Sequence, residues 1–324
     1  MNNKKPASNT LAIVCTIDCP LSCRHCSVGM EKSKKRTGLR LKESVMSHYI
    51  SAAAQNDFSM ITFVGGEPSL VPDLLRQGIV ECKYNNLESA ITTAPVWART
   101  KESAEKFLDR IGSVDTIILS FDIYHLEQLT IEHYQNACIA AKNRSIKVIM
   151  NVCYSSEQER TTCVGLNASL KDMISQYLFQ EIIPIGNARI VNRAIPFAGV
   201  TLESINDFDC LSKTCMAGNA SVGLQFDLHA CCWASAITRS PLCYRSREAN
   251  LSKSIQSMQN DPAYQQLRKH GFIEGLGMSE RERILSYCRG KTFVNECHLC
   301  MVLMGLSDQK LWRSIFLEKT INAS

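Results

Sequence analysis

Apolar residues fall in short runs along this chain, separated by stretches with helical spacing. "LAIVCTI" (Leu11 to Ile17) reads as a strand and "LKESVMSHYISAAAQ" as an amphipathic helix. "MITFVGG" is a second apolar run that stops at paired glycines, and a helix follows from about Pro72 to Cys82. "SAITTA", "TIILSFD" and "IKVIMNVCYS" read as further strands, interleaved with the helical stretches "KESAEKFLDRIG" and "LEQLTIEHYQNACIAAKN". A helix around Glu157 to Tyr177 and a last strand near "EIIPIG" complete about six strand–helix units. Short apolar strands alternating with helices predict an α/β fold: a parallel, barrel-like sheet with its functional face at the C-terminal strand ends. After about Val200 the alternation fades into a short hairpin-like segment, polar loops and a terminal helix near "SDQKLWRSIFLEKT". The expected division is a tail over residues 1–10, a partial (β/α)6 barrel over 11–200 and a small metal-organised domain over 201–324.

Composition adds one unusual fact to this outline. The chain has 324 residues, an ordinary 45% hydrophobic and 21% charged content, and 16 cysteines. The apolar stretch near the N-terminus is too short for a signal peptide, and no run is long enough to cross a bilayer. A cytoplasmic location is expected, with no membrane partner. In a reducing compartment clustered cysteines point to metal or redox chemistry rather than disulfides. Scattered ones (Cys82, Cys138, Cys153, Cys163) read as small buried hydrophobes. The net charge of +5 is mild. The basic run "EKSKKRTGLRLK" lacks interleaved aromatics and reads as a solvated loop, so no nucleic-acid partner is expected.

The chemistry-bearing motif is Cys19, Cys23 and Cys26, spaced C-x3-C-x2-C directly after the first strand. Three thiolates on one tight loop can hold three irons of a [4Fe–4S] cluster and leave the fourth open. Zinc would normally recruit a fourth protein ligand. Cys15 sits within the strand and reads as a core thiol. "GGEP" (Gly65 to Pro68) ends the second strand, where glycines permit close backbone approach and a carboxylate suits an ammonium.

Together these motifs resemble the radical S-adenosylmethionine (SAM) superfamily. The resemblance implies reductive cleavage of SAM at the open iron, giving methionine and a 5′-deoxyadenosyl radical, with the electron supplied by a donor such as flavodoxin or ferredoxin. It assigns Gly65, Gly66 and Glu67 to SAM's methionyl amino group and His25 to a place beside adenine. Ser120, Asp122 and Asn151, at two later strand ends, would contact ribose or the SAM carboxylate. "IPIGNAR" is similar to the late glycine-containing motif that helps hold adenine.

Cys215, Cys231, Cys297 and Cys300 supply four more ligands, enough for a closed cluster or a zinc. The pattern resembles the twitch domain, a shorter relative of the SPASM domain that carries an auxiliary [4Fe–4S] cluster; Cys210 and Cys288 are alternative ligands. Adjacent side chains of an extended segment point to opposite sides, so Cys232 should face away from a cluster bound by Cys231. The combination of C-x3-C-x-H-C, "SFDIYH", C-x15-C-C and the late C-x2-C is similar to radical SAM peptide epimerases. That likeness implies a ribosomally made precursor peptide as substrate, L-to-D inversion at a Cα, and Cys232 as the thiol that returns hydrogen. About ten residues precede the first strand, so no separate N-terminal peptide-recognition domain is expected. The competing readings are peptide cross-linking or dehydrogenation, with the auxiliary cluster accepting an electron, and a zinc-stabilised binding module.

Overall fold

The computed structural model describes residues 9–27, 38–190, 195–215, 217–231, 240–245, 250–305, 311, 312 and 315. Cys232 and most of the basic run and terminal helix read from the sequence lie outside the described residues.

The first part of the chain alternates strand and helix. Its elements are β1 (Thr10–Thr16), α1 (Glu43–Ala54), β2 (Met60–Gly65), α2 (Pro72–Tyr84), β3 (Glu88–Thr93), α3 (Lys101–Ile111) and β4 (Thr116–Ser120), then α4 (Ile123–Leu126), α5 (Ile131–Lys142), β5 (Lys147–Tyr154), α6 (Glu157–Leu166), β6 (Gln176–Glu181) and α7 (Gly186–Ile190). The six strands lie side by side in chain order and every neighbouring pair is parallel. This is the expected α/β fold, and its parallel strands bury apolar residues under the helices. In β1 alternate residues Leu11, Ile13 and Cys15 are fully buried, as are Met46, Tyr49, Ile50 and Ala53 on α1. Punctuation read in the sequence acts locally: Thr100 and Ser103 form a capping box on α3, and Gly112 ends it at φ +86°.

Two boundaries differ from the sequence reading. The helix expected to run to Tyr177 stops at Leu166, with buried Asn167 at its C-terminus and a 3-10 turn after it. The last strand is "QYLFQE" rather than "EIIPIG". Its residues pair with β5 from Ile149–Gln176 to Tyr154–Glu181, and tertiary pairing outweighs the local helical pattern. Pro184, which lacks an N–H, marks the chain beyond the strand.

The remaining elements are β7 (Val200–Thr201), β8 (Asn219–Val222), β9 (Leu228–His229), β10 (Cys243–Tyr244), α8 (Leu251–Gln259), α9 (Pro262–His270), α10 (Met278–Cys288), β11 (Thr292–Phe293) and α11 (Glu296–Met304). β8 pairs parallel with β1, and β9 and β10 continue antiparallel, so one nine-stranded sheet runs across the boundary expected near residue 200. Among the described residues no helix is long and apolar enough to cross a membrane.

Tyr49 fastens the hairpin to the helical layer. Its hydroxyl donates to the Gly223 carbonyl at 2.9 Å and accepts from Phe226 N–H at 3.0 Å. Tyr49→Phe should therefore destabilise the fold by about 1–3 kcal/mol, because two backbone groups of the turn lose their partner. A lowered urea midpoint with an unchanged m-value is the expected result. An unchanged midpoint would show that the turn does not depend on this hydroxyl.

Candidate functional site

Two strand ends press together to shape the cysteine loop. At the end of β1 the register with β2 shifts between Val14 and Thr16. Gly66 N–H then donates to the Thr16 carbonyl, and Glu67 N–H to the Asp18 carbonyl, both at 2.8 Å. A Cβ at Gly65 would overlap the Thr16 carbonyl oxygen, and one at Gly66 that of Asp18. The paired glycines are thus required by backbone-to-backbone contact with the segment that leads into Cys19. "IPIGNAR" does the same from the other side: Asn187 N–H donates to the Cys26 carbonyl at 2.9 Å and its side-chain amide to the Cys23 carbonyl at 3.0 Å. A Cβ at Gly186, whose φ is +54°, would overlap the carbonyls of Cys26 and Ser27.

The loop opens on a cavity of about 230 Å³ at the C-terminal ends of the parallel strands, far larger than a trapped water needs. Cys19, Cys23, Cys26, His25, Gly65, Gly66, Glu67, Ser120 and Asn151 all line it. Burial pushes the Cys19 thiol up to about 12. The Glu67 carboxylate is fully buried and already engaged. Its Oε1 accepts from Ser69 N–H and the Thr93 hydroxyl, and its Oε2 from Ala94 N–H, at 2.6–2.9 Å. Burial nevertheless leaves this carboxyl above its ordinary range. Its remaining acceptor capacity is what an ammonium would use.

Asp122, expected to meet the ligand, instead stands behind the cavity wall. It is fully buried, caps α4 through Tyr124 and His125 N–H, and holds His125 Nδ1 at 2.9 Å and His25 Nε2 at 3.3 Å. Burial alone would raise its carboxyl, but the two imidazoles outweigh that and hold it well below the usual carboxylate range. For His125 burial works against the charged form, and Asp122 and the Cys23 sulfur override it, raising the imidazole well above its ordinary value. Among the described residues, two buried polar atoms on the cavity wall have no hydrogen-bond partner: His25 Nδ1 and Asn151 Oδ1. Cys153 is a correction. Rather than a core thiol like Cys82, Cys138 and Cys163, it lines the cavity, with a ligand atom within 4.8 Å of those of His25 and Asp122.

A second, mostly apolar cavity gathers the other cysteines. Cys215, Cys231, Cys297 and Cys300 all line it, with Leu242, Leu267, Phe272 and Met304. Cys297 and Cys300 share a face of α11 at i, i+3. The buried Glu296 carboxylate accepts from the N–H groups of Cys215, Phe272 and Ile273 at 2.6–3.2 Å and so fixes Cys215 opposite that helix. Burial raises all three of the thiols of Cys215, Cys297 and Cys300. The alternative ligands are elsewhere: Cys210 is exposed, and Cys288 is buried in α10 without reaching this cavity.

Residues 13–156 match the model of the radical SAM superfamily. It is similar to the PqqA peptide cyclase of Gluconobacter oxydans (strain 621H), 34% identical over 103 residues. That match spans 32% of this chain and only 27% of the relative's length. Among solved structures, Streptococcus suis SuiB bound to precursor peptide SuiA superposes with a TM-score of 0.57 at 14% identity, over 90% of this chain and 76% of SuiB. Native anSMEcpe with bound AdoMet and the Cp18Cys peptide gives 0.54 at 11% identity, over 97% of this chain and 98% of that one. These likenesses establish the α/β fold of radical SAM barrels. The matched family implies a [4Fe–4S] cluster and SAM, and the residues present fit both. Three thiols lie on one loop at the mouth of a cavity whose wall carries unpartnered polar atoms and room for a sizeable ligand.

Sequence reasoning missed His125, Gln128, Gln180, Glu181 and Cys153 around the first cavity. The "SFDIYH" stretch contained the signal for His125, since a histidine three residues after an Asp cap returns to that carboxylate. Glu181 could not be placed while the last strand was misassigned. Gly66→Ala should displace the Thr16–Asp18 backbone and lower iron at the three-cysteine loop several-fold. Iron analysis of the variant against a Cys297→Ala, Cys300→Ala control checks this; full iron content would contradict it.

Proposed function

We propose that the chain is a radical SAM enzyme that modifies a ribosomally made peptide, inverting one residue from L to D at Cα. The observation that carries the reading is the pair of cysteine sites: a three-thiol loop at a large cavity and a separate four-thiol cavity. In this reading Cys19, Cys23 and Cys26 hold the SAM-binding [4Fe–4S] cluster, and Cys215, Cys231, Cys297 and Cys300 the auxiliary one. When bound, the first cluster and SAM supply a 5′-deoxyadenosyl radical. Gly65, Gly66, Glu67, Ser120, Asn151 and His25 orient SAM, the free Nδ1 of His25 and Oδ1 of Asn151 being the groups still open to a ligand. Asp122 acts through His25 and His125 rather than by touching SAM. The peptide assignment is supported by two proteins that the chain resembles, a peptide cyclase and an enzyme crystallised with its precursor peptide.

Cys231 completes a four-cysteine set, so Cys232 is surplus to it. Its thiol returns a hydrogen atom to the face of Cα opposite the abstraction. The balance is one hydrogen atom moved from Cα to the deoxyadenosyl carbon and one from Cys232 sulfur to Cα. The thiyl left behind takes one electron from an external flavodoxin- or ferredoxin-type donor and one proton from solvent.

One observation favours a second reading. The curated relative is a cyclase, and cross-linking removes two hydrogens, with the auxiliary cluster taking an electron. Peptide mass separates the two. With a candidate precursor peptide in D2O, epimerisation should leave the heavy-atom composition unchanged and place one deuterium on the inverted carbon, because thiol hydrogens exchange. Cys232→Ala should still form 5′-deoxyadenosine yet fail to complete inversion. A product two mass units lighter, with Cys232→Ala fully active, would replace epimerisation by the oxidative reaction. Undiminished SAM cleavage after Cys19, Cys23 and Cys26 are all changed to Ala would remove the radical SAM reading itself.

A further inference from the structure

The central thiol of the three-cysteine loop is gripped by a segment about a hundred residues away. Gln128, just after α4, places its Oε1 on the Ser22 N–H at 2.9 Å and within 3.4 Å of the Ser22 hydroxyl. Its Nε2 donates to Cys23 Sγ at 3.7 Å. The two ends of a primary amide are not interchangeable here. Flipping it would set an N–H donor against the Ser22 N–H, so the backbone donor fixes which end meets the sulfur. The same turn carries His125, whose imidazole is held by both Asp122 oxygens at 2.9 Å and lines the same cavity as Cys23. Arg24, the next residue of the loop, forks onto Glu127. Residues 122–128 therefore form a clamp whose polar groups converge on Ser22, Cys23 and Arg24.

We propose that Gln128 is a positioning residue that, through its amide on Cys23, raises the reduction potential of the cluster bound by Cys19, Cys23 and Cys26. The inference rests on the reading that these three thiols hold a [4Fe–4S] cluster. Reduction adds negative charge to a cluster whose ligands are already anionic. An N–H donor on a ligating sulfur withdraws charge and stabilises the reduced form, and hydrogen bonds to sulfur are among the determinants of such potentials. Gln128 is suited to this because it is neutral. It offers a dipole that does not vary with pH, beside the imidazole of His125.

An EPR-monitored redox titration of the holoenzyme tests the proposal with Gln128→Leu, which lacks the donor, and Gln128→Glu, which replaces it with a carboxylate. Both variants should shift the SAM-binding cluster to more negative potential, Glu further than Leu, while the auxiliary cluster keeps its value. A purely structural role would not order the two variants in this way. Potentials equal to wild type in both would overturn the proposal. Wild-type protein without iron at this loop would instead sink the cluster assignment on which it rests. Should either variant fail to retain iron, the unmodified holoenzyme gives the decision. With glutamine labelled by 15N at the side-chain amide, the reduced cluster should show a 15N coupling that is replaced by a 14N coupling with unlabelled glutamine. Its absence overturns the proposal.

Discussion

The site depends on the backbone contact between the end of β2 and the segment that leaves β1. Gly66 and Glu67 donate to the Thr16 and Asp18 carbonyls, and no side chain fits between the two strands of chain. That contact decides where Cys19 begins and how tightly the loop to Cys26 is wound. Asn187 and Gly186 then pin its far end, and Gln128 and Arg24–Glu127 hold its middle. The thiols are thus presented by a loop fixed at three points, although the loop itself carries no regular secondary structure. Preorganisation of this kind suits a cluster that must keep one coordination position open.

One carboxylate joins the two cysteine sites. Glu181, at the end of β6, lines the first cavity and accepts from Ser212 Oγ at 2.6 Å and Asn295 Nδ2 at 2.9 Å. Asn295 caps α11, the helix that carries Cys297 and Cys300. The barrel's last strand is therefore tied to the N-terminus of the helix that builds the second site. Glu296, next in sequence, closes the same network from inside by gathering the Cys215 backbone. Any change that moves β6 is transmitted to the four-cysteine cavity through these polar contacts.

Much of this arrangement was legible in the sequence because it is local or periodic. Alternating apolar runs located the strands, and the C-x3-C-x2-C spacing and "GGEP" located the first cavity. The four cysteines of the second cavity were named from spacing and resemblance alone, and the fold brings them together. What was not legible depends on long-range contacts. β6 is a strand because β5 pairs with it, and its own residues carry a helical pattern into that position. Cys153 looked like Cys138 in sequence, yet it follows Asn151 at strand spacing and so faces the cavity too. Gln128 carries no sequence signal, since its role exists only once α4 has been brought over Ser22.

The central claim is that one chain holds two iron–sulfur clusters of different character, one open to SAM and one closed by four cysteines. Anaerobically reconstituted protein, analysed for iron, sulfide and zinc and followed by EPR with and without SAM, tests it most directly. The account predicts iron and acid-labile sulfide equal to two [4Fe–4S] clusters per chain, with SAM altering the spectrum of only one. Stoichiometric zinc in place of the second cluster, or spectra indifferent to SAM, would contradict it.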